Sequence, residues 1–153
     1  KAIKEAAKRQ EIDELKKKEK LRSAERINSL TDVLPRLLDK NVKINGINTI
    51  FSLEDDLDMH ALRLLADQIK EKLSGAVVVL GSHDKEQKKA FLVIAVAPDL
   101  LSRGMDAGVL IRQVALIIGG SGGGRQDFAQ AGGNIPANFA LAFDKIKDII
   151  IKL

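Results

Sequence analysis

The stretch GGSGGGRQDFAQAGG, from Gly119 to Gly133, holds seven of the chain's twelve glycines. A segment this rich in glycine is not expected to be helical, because each glycine there loses about 1 kcal/mol relative to alanine. Without β-carbons, its backbone can turn consecutive N–H groups inward around an anion. Arg125 follows Gly122, Gly123 and Gly124 directly, and its guanidinium adds a permanent charge and a planar fork matched to phosphate oxygens. Asp127 is placed to orient Arg125, while Gln126 and Gln130 offer neutral hydrogen bonds to a sugar or a base edge. A plainer reading stands beside this one: the glycines only allow close backbone packing, and Arg125 and Asp127 pair with each other. The residues alone leave both open.

Two common nucleotide loops are excluded. A P-loop needs Lys and then Ser or Thr after its glycines, whereas Gly124 is followed by Arg125 and Gln126. A dinucleotide-binding turn joins a strand to a helix through GxGxxG, but here the register from Gly120 and Gly122 ends on Arg125, and the segment follows a helical pattern.

That helical pattern runs from Asp106 to Ile118, with Ala107, Leu110, Ile111, Val114 and Ile118 on one face. A last helix is predicted from Pro136, a good first-turn residue, burying Phe139, Phe143, Ile146 and Ile150. Upstream, Asn41, Asn45, Gly46 and Asn48 mark a boundary, and Val42, Ile44, Ile47, Ile50 and Phe51 read as a strand or hairpin. Asp55 to Asp58 can cap a helix ending near Leu73, after which Gly75 breaks the pattern. The runs Ala76 to Leu80 and Ala90 to Ala97 are predicted to pair antiparallel, because the polar loop between them, Gly81 to Lys89, is too short for a crossover helix.

The first forty residues differ in kind. They carry 12 Lys and Arg against 8 Asp and Glu, while residues 41–153 balance at 13 of each, so the whole net charge of +4 lies at the start. From Lys1 to Asn28 there is neither Gly nor Pro, which predicts a helical rod of roughly 40 Å. Its large aliphatic residues are too few for a full core-facing stripe, so it reads as an arm. Leu30, Leu34, Leu37 and Leu38 share a face in a second short helix that could pack on a second copy of the chain, making a dimerisation or domain-bridging module with weak RNA affinity the alternative function. The chain is thus expected to be α/β (α+β). A helical arm or kinked, coiled-coil-like hairpin over 1–40 precedes a compact domain over 41–153 with a mixed sheet and packed helices.

Composition narrows the function classes. No cysteine is present, so disulfides and cysteine metal clusters are excluded, and a reducing, cytoplasmic setting is the default expectation. His60 and His83 are 23 positions apart with no credible metal-ligand spacing, and no Ser/His/Asp arrangement stands out, so neither a metal site nor a catalytic residue is assigned. Apolar runs such as Ala90 to Pro98 are too short to cross a bilayer, so no membrane partner is expected. A start without Met, inside a charged helical pattern, reads as a piece of something longer. With no Trp or Tyr and five Phe at mostly core-like positions, stacking of single-stranded bases is disfavoured and phosphate recognition favoured. Candidate contacts are the Gly122 to Arg125 segment, the loop lysines Lys85, Lys88 and Lys89, and basic residues of the arm, including Lys16, Lys17, Lys18 and Arg22.

The segment Gly119 to Gly133 resembles the signature of the C-terminal domain of alanyl-tRNA synthetases, a DHH-associated domain that also accompanies DHH-family phosphoesterases. Gln126 replaces a common Pro and Phe128 a common Met, while the glycines, Arg125, Asp127 and Ala129 to Gly133 agree. The resemblance implies a module that grips the outer corner of alanine tRNA and helps separate aminoacylation and editing domains act on the same molecule. It implies no cofactor in this piece, with ATP and zinc belonging to those other domains. From the phosphoesterase side it also brings a third reading, a small nucleotide pocket.

Overall fold

The computed structural model describes Lys17 and residues 33–152. The chain divides into two units, Lys1–Val33 and Leu34–Leu153, of which the second is described below. Lys17 is helical and exposed; Lys16, Lys18, Arg22 and Leu30, with most of the expected arm, lie outside the described residues.

A six-stranded mixed sheet forms the centre of the second unit, in the order β1-β2-β3-β4-β6-β5. Its first two strands, β1 (Val42–Ile44) and β2 (Ile47–Asp55), make the hairpin expected from the Asn-rich stretch, with Asn45 and Gly46 at φ of 54° and 75° in the turn. The next strand, β3 (Ala76–Asp84), pairs parallel with β2, which requires a crossover, and helix α1 (Met59–Lys72) supplies it. Asp58 begins that helix as its N-cap, its side chain accepting from the Ala61 N–H at 2.8 Å.

From β3 onward the sheet is antiparallel: β3 with β4 (Lys89–Val96), β4 with β6 (Phe128–Gly133), and β6 with β5 (Ser121–Gly124). Between β4 and β5 run a short helix α2 (Pro98–Leu101), not foreseen from the sequence, and α3 (Ala107–Ala115), N-capped by Asp106 through the Val109 N–H at 3.1 Å. A 3-10 turn at Pro136–Asn138 leads into the last helix, α4 (Phe139–Ile151).

Alternation along the strands fills both faces. Val77, Val79, Leu92, Ile94 and Val96 join one core cluster with Leu110, Ile111 and Val114 of α3 and Phe139, Ile146 and Ile150 of α4. Ile50, Val78, Leu80 and Val93 fall on the other face, where α1 packs on β3 and β4 and buries Leu62, Leu65 and Ile69. Each such side chain, fully withdrawn from water, contributes about 1.5–3 kcal/mol. Residues 33–38 are helical and belong to this unit from Leu34 on. Leu37 is fully buried, and Arg36 Nη2 donates to Glu54 Oε2 at 2.8 Å.

Three expectations need correction. Gly81 to Asp84 continue β3 instead of forming loop, so only residues 85–88 connect β3 to β4. Gly81 is admitted there because the Phe139 ring occupies the space a side chain would take, and buried Ser82 is satisfied by accepting from the Leu57 N–H at 2.9 Å. The helix predicted through Ile118 stops at Ala115, and Gly119 turns the chain at φ 74°. The third correction concerns the glycine segment, which is a β-hairpin and not an irregular loop.

Candidate nucleic-acid interface

Strands β5 and β6 pair Ser121 with Gly132, Gly122 with Ala131, Gly123 with Gln130 and Gly124 with Ala129. In an extended strand successive N–H groups point to opposite sides, so Gly122, Gly123 and Gly124 cannot gather consecutive donors into a nest. Most of these glycines answer a packing demand. A β-carbon on Gly122 would lie 2.5 Å from the Gln130 carbonyl oxygen, one on Gly124 2.6 Å from the Phe128 carbonyl oxygen, and one on Gly133 would collide with the Ile118 carbonyl oxygen. Gly123 differs: a β-carbon there would meet nothing within 4 Å.

Ala129 and Ala131 of β6 face the core under α3, so Phe128, Gln130 and Gly132 face the other way, with Gly123 beside Gln130. On that side α1 covers β3 and β4, and the edge hairpin is left open. The result is a shallow concavity of about 460 Å³ lined by Arg63, Arg125, Phe128, Gln130 and the Gly123–Gly124 backbone. Arg63 comes from α1, and its guanidinium carbon sits 5.5 Å from the centroid of the Phe128 ring. Across from it, Arg125 is strongly exposed, its side chain 81% accessible, with Nε 3.6 Å from Asp127 Oδ1. Asp127 thus pairs with Arg125 as both sequence readings required, at a length and exposure that leave the guanidinium accessible.

The connection between the strands is held at its backbone. The Arg125 N–H donates to the Phe128 carbonyl at 2.8 Å, Val96 N–H to the Asp127 carbonyl at 2.8 Å, and Ala107 N–H, at the start of α3, to the Gln126 carbonyl at 2.8 Å. The Gln126 side chain remains exposed.

The three loop lysines separate. Lys89 lies at the far end of the hairpin, in a second open depression of about 340 Å³ with Gly119, Gly120, Ser121, Gly132 and Asn134. Lys85 is drawn to the other side, its Nζ 3.4 Å from Asp55 Oδ2 and its N–H donating to Asp56 Oδ1 at 3.0 Å. Lys88 occupies the turn before β4 at φ 53°. His60 lies in the first turn of α1 and His83 on β3, and among the described residues no three of His, Cys, Asp and Glu gather as metal ligands. No helix among the described residues is long and apolar enough to cross a membrane. Leu37, one of the stripe expected to pack on a second chain, is already buried inside its own unit.

Sequence reasoning missed Arg63. An exposed arginine on an amphipathic helix looks like any solvated charge. The available signal was Phe128, a bulky aromatic amid glycines, with a ring face in want of a neighbour.

Fold and site together define a small α/β module whose exposed sheet edge is a glycine hairpin flanked by guanidinium groups. Residues 40–152 match the DHHA1 domain model, and the chain belongs to that family. It is 39% identical over 132 residues to the alanine–tRNA ligase of Alkaliphilus oremlandii, covering 86% of this chain and 14% of the relative. With that of Exiguobacterium sibiricum the identity is 47% over 109 residues, covering 70% and 12%. The chain therefore spans about one-seventh or less of the curated relatives it matches. Among solved structures, the C-Ala domain of Aquifex aeolicus alanyl-tRNA synthetase is similar with a TM-score of 0.67 and 29% identity, over 73% of this chain and 98% of that one. A DHH-domain protein, PF0399, shares the fold at a TM-score of 0.61 and 16% identity, over 86% of this chain and 31% of that one.

Proposed function

We propose that this chain is the C-terminal tRNA-binding module of an alanyl-tRNA synthetase. In this reading it grips the outer corner of alanine tRNA and holds it for the enzyme's aminoacylation and editing domains. The module performs no chemistry itself; ATP and zinc serve the other domains, and the parent enzyme works in the cytoplasm. The observation that carries the reading is the open concavity on the sheet edge, where Arg63 and Arg125 flank Gln130 and the bare Gly123–Gly124 backbone. Guanidinium groups recognise phosphate, and a neutral amide between them suits a ribose hydroxyl or a base edge.

Relatives that are alanine–tRNA ligases support the choice of RNA. The test is a titration of the chain with alanine tRNA at two salt concentrations, beside Arg125→Ala and a tRNA whose corner loops are disrupted. Binding that weakens with salt and is lost in both variants is the expected result. Binding no better than to an unrelated RNA sinks the reading, and a mass that rises with protein concentration would then point to homodimerisation.

A further inference from the structure

We propose that Arg63 is a second phosphate-contact residue of this interface and that Phe128 is the positioning residue that presents it, an inference that rests on the RNA-binding reading above. Arg63 projects from the second turn of α1, exposed, with its guanidinium carbon 5.5 Å from the Phe128 ring centroid. Among the described residues no carboxylate pairs with it and no acceptor takes its N–H groups. A guanidinium resting on an aromatic ring keeps its hydrogen-bond donors free, because the attraction is to the ring's face and uses no acceptor.

An arginine of this kind would ordinarily sample many rotamers; the ring biases it toward the concavity that Arg125 also lines. The charge is therefore prepared before a ligand arrives, so less side-chain freedom is lost on binding. Phe128 is held in turn by its place in β6, paired with Ala95 of the central sheet. Two guanidinium groups on separate elements, one on a helix and one on the hairpin turn, suit a ligand with more than one phosphate in fixed geometry. A folded RNA backbone is such a ligand, whereas a mononucleotide offers phosphate at one end only.

The experiment measures the affinity of the chain for alanine tRNA at salt from roughly 50 to 200 mM, for wild type, Arg63→Ala, Arg63→Lys, Phe128→Leu and the Arg63→Ala/Phe128→Leu double variant, with thermal melting of each. Arg63→Ala is expected to weaken binding about tenfold at low salt and to flatten the slope of log K against log salt by about 0.7–0.9, the loss of one phosphate contact. Arg63→Lys should keep the slope and lose part of the affinity. Phe128→Leu should weaken binding about two- to fivefold with the slope unchanged, and should add nothing in the Arg63→Ala background.

A wild-type slope in Arg63→Ala, with or without a shift in melting, overturns the proposal while leaving tRNA binding intact. The proposal is equally overturned if Arg63→Ala weakens AMP binding and leaves tRNA binding unchanged. Absence of specific tRNA binding by wild type overturns both this inference and the reading on which it rests.

Discussion

Gly81 and Phe139 are fitted to one another: a β-carbon added to Gly81, in the middle of β3, would lie 2.6 Å from Cε1 of the Phe139 ring. Phe139 opens α4 and is only 1% exposed, so its ring has no free space to retreat into. Gly81→Ala is expected to destabilise the unit by about 1–3 kcal/mol through overpacking. Adding Phe139→Leu should recover part of that loss, because the two residues share one volume. Urea unfolding of both single variants and the double variant measures this, and strictly additive losses would refute the pairing.

Glycines of the hairpin should divide under substitution. Gly122→Ala drives a β-carbon against the β6 backbone and is expected to detach the edge strand, with faster amide exchange in β5 and a loss above about 1 kcal/mol. Gly123→Ala meets open space at a φ outside the left-handed region, so stability should be unchanged or rise by about 0.4–1 kcal/mol. Equal effects at the two sites would contradict the structure.

Asp106 caps α3 through the Val109 N–H, one residue before the Ala107 N–H that holds the Gln126 carbonyl. Asp106→Ala should therefore lower stability by about 1 kcal/mol and loosen the hairpin connection as well, whereas Asp106→Asn retains most of both. Amide exchange at Ala107 and Arg125 reports the second effect.

Glu54 ends a hydrogen-bonded relay: Lys40 Nζ donates to Ser52 Oγ at 3.0 Å, Ser52 Oγ to Glu54 Oε1 at 2.8 Å, and Arg36 Nη2 to Glu54 Oε2 at 2.8 Å. The Glu54 side chain is only 12% exposed, so the pair is better shielded than an ordinary surface ion pair. Glu54→Ala is expected to cost about 1–2 kcal/mol and to raise exchange in residues 34–40. Protection there equal to wild type would show that buried Leu37 alone secures the segment.

Lys85 and Lys89 test the proposed placement of RNA on the hairpin edge. Lys89→Ala should weaken tRNA binding about two- to threefold by removing a charge beside the hairpin, whereas Lys85→Ala, taken from an ion pair with Asp55, should leave it unchanged. A larger loss from Lys85→Ala would move the RNA away from the hairpin and toward β2.

Helices were largely legible in the sequence because their signals are local: Asp58 and Asp106 cap as side chains of that type do, and the apolar spacing of α1, α3 and α4 matches their buried faces. The β1–β2 turn was readable from its Asn and Gly. What escaped was set at long range. Gly81, Ser82 and His83 have the composition of a loop, yet they pair with β2 on one side and β4 on the other, and the ring of Phe139, 58 positions after Gly81, fills the space a side chain there would take. The same holds for β5, since four residues of Ser and Gly have little strand preference of their own and are extended because β6 lies alongside. Arg125 was found as a charge beside glycines, whereas Arg63 depended on which helix face meets β6.

Among the strand pairs of the sheet, β2–β3 is the parallel one, so the sheet amounts to a two-stranded and a four-stranded antiparallel piece sewn along one seam. Sewing them requires α1 to close a long loop, an entropic toll that falls due before the seam returns any contacts. Folding kinetics should register this: truncations at Ile50 and Val78, which face each other across the seam, are expected mainly to speed unfolding, as contacts formed late. The seam is then the line on which the two antiparallel pieces would join last in folding and part first in unfolding.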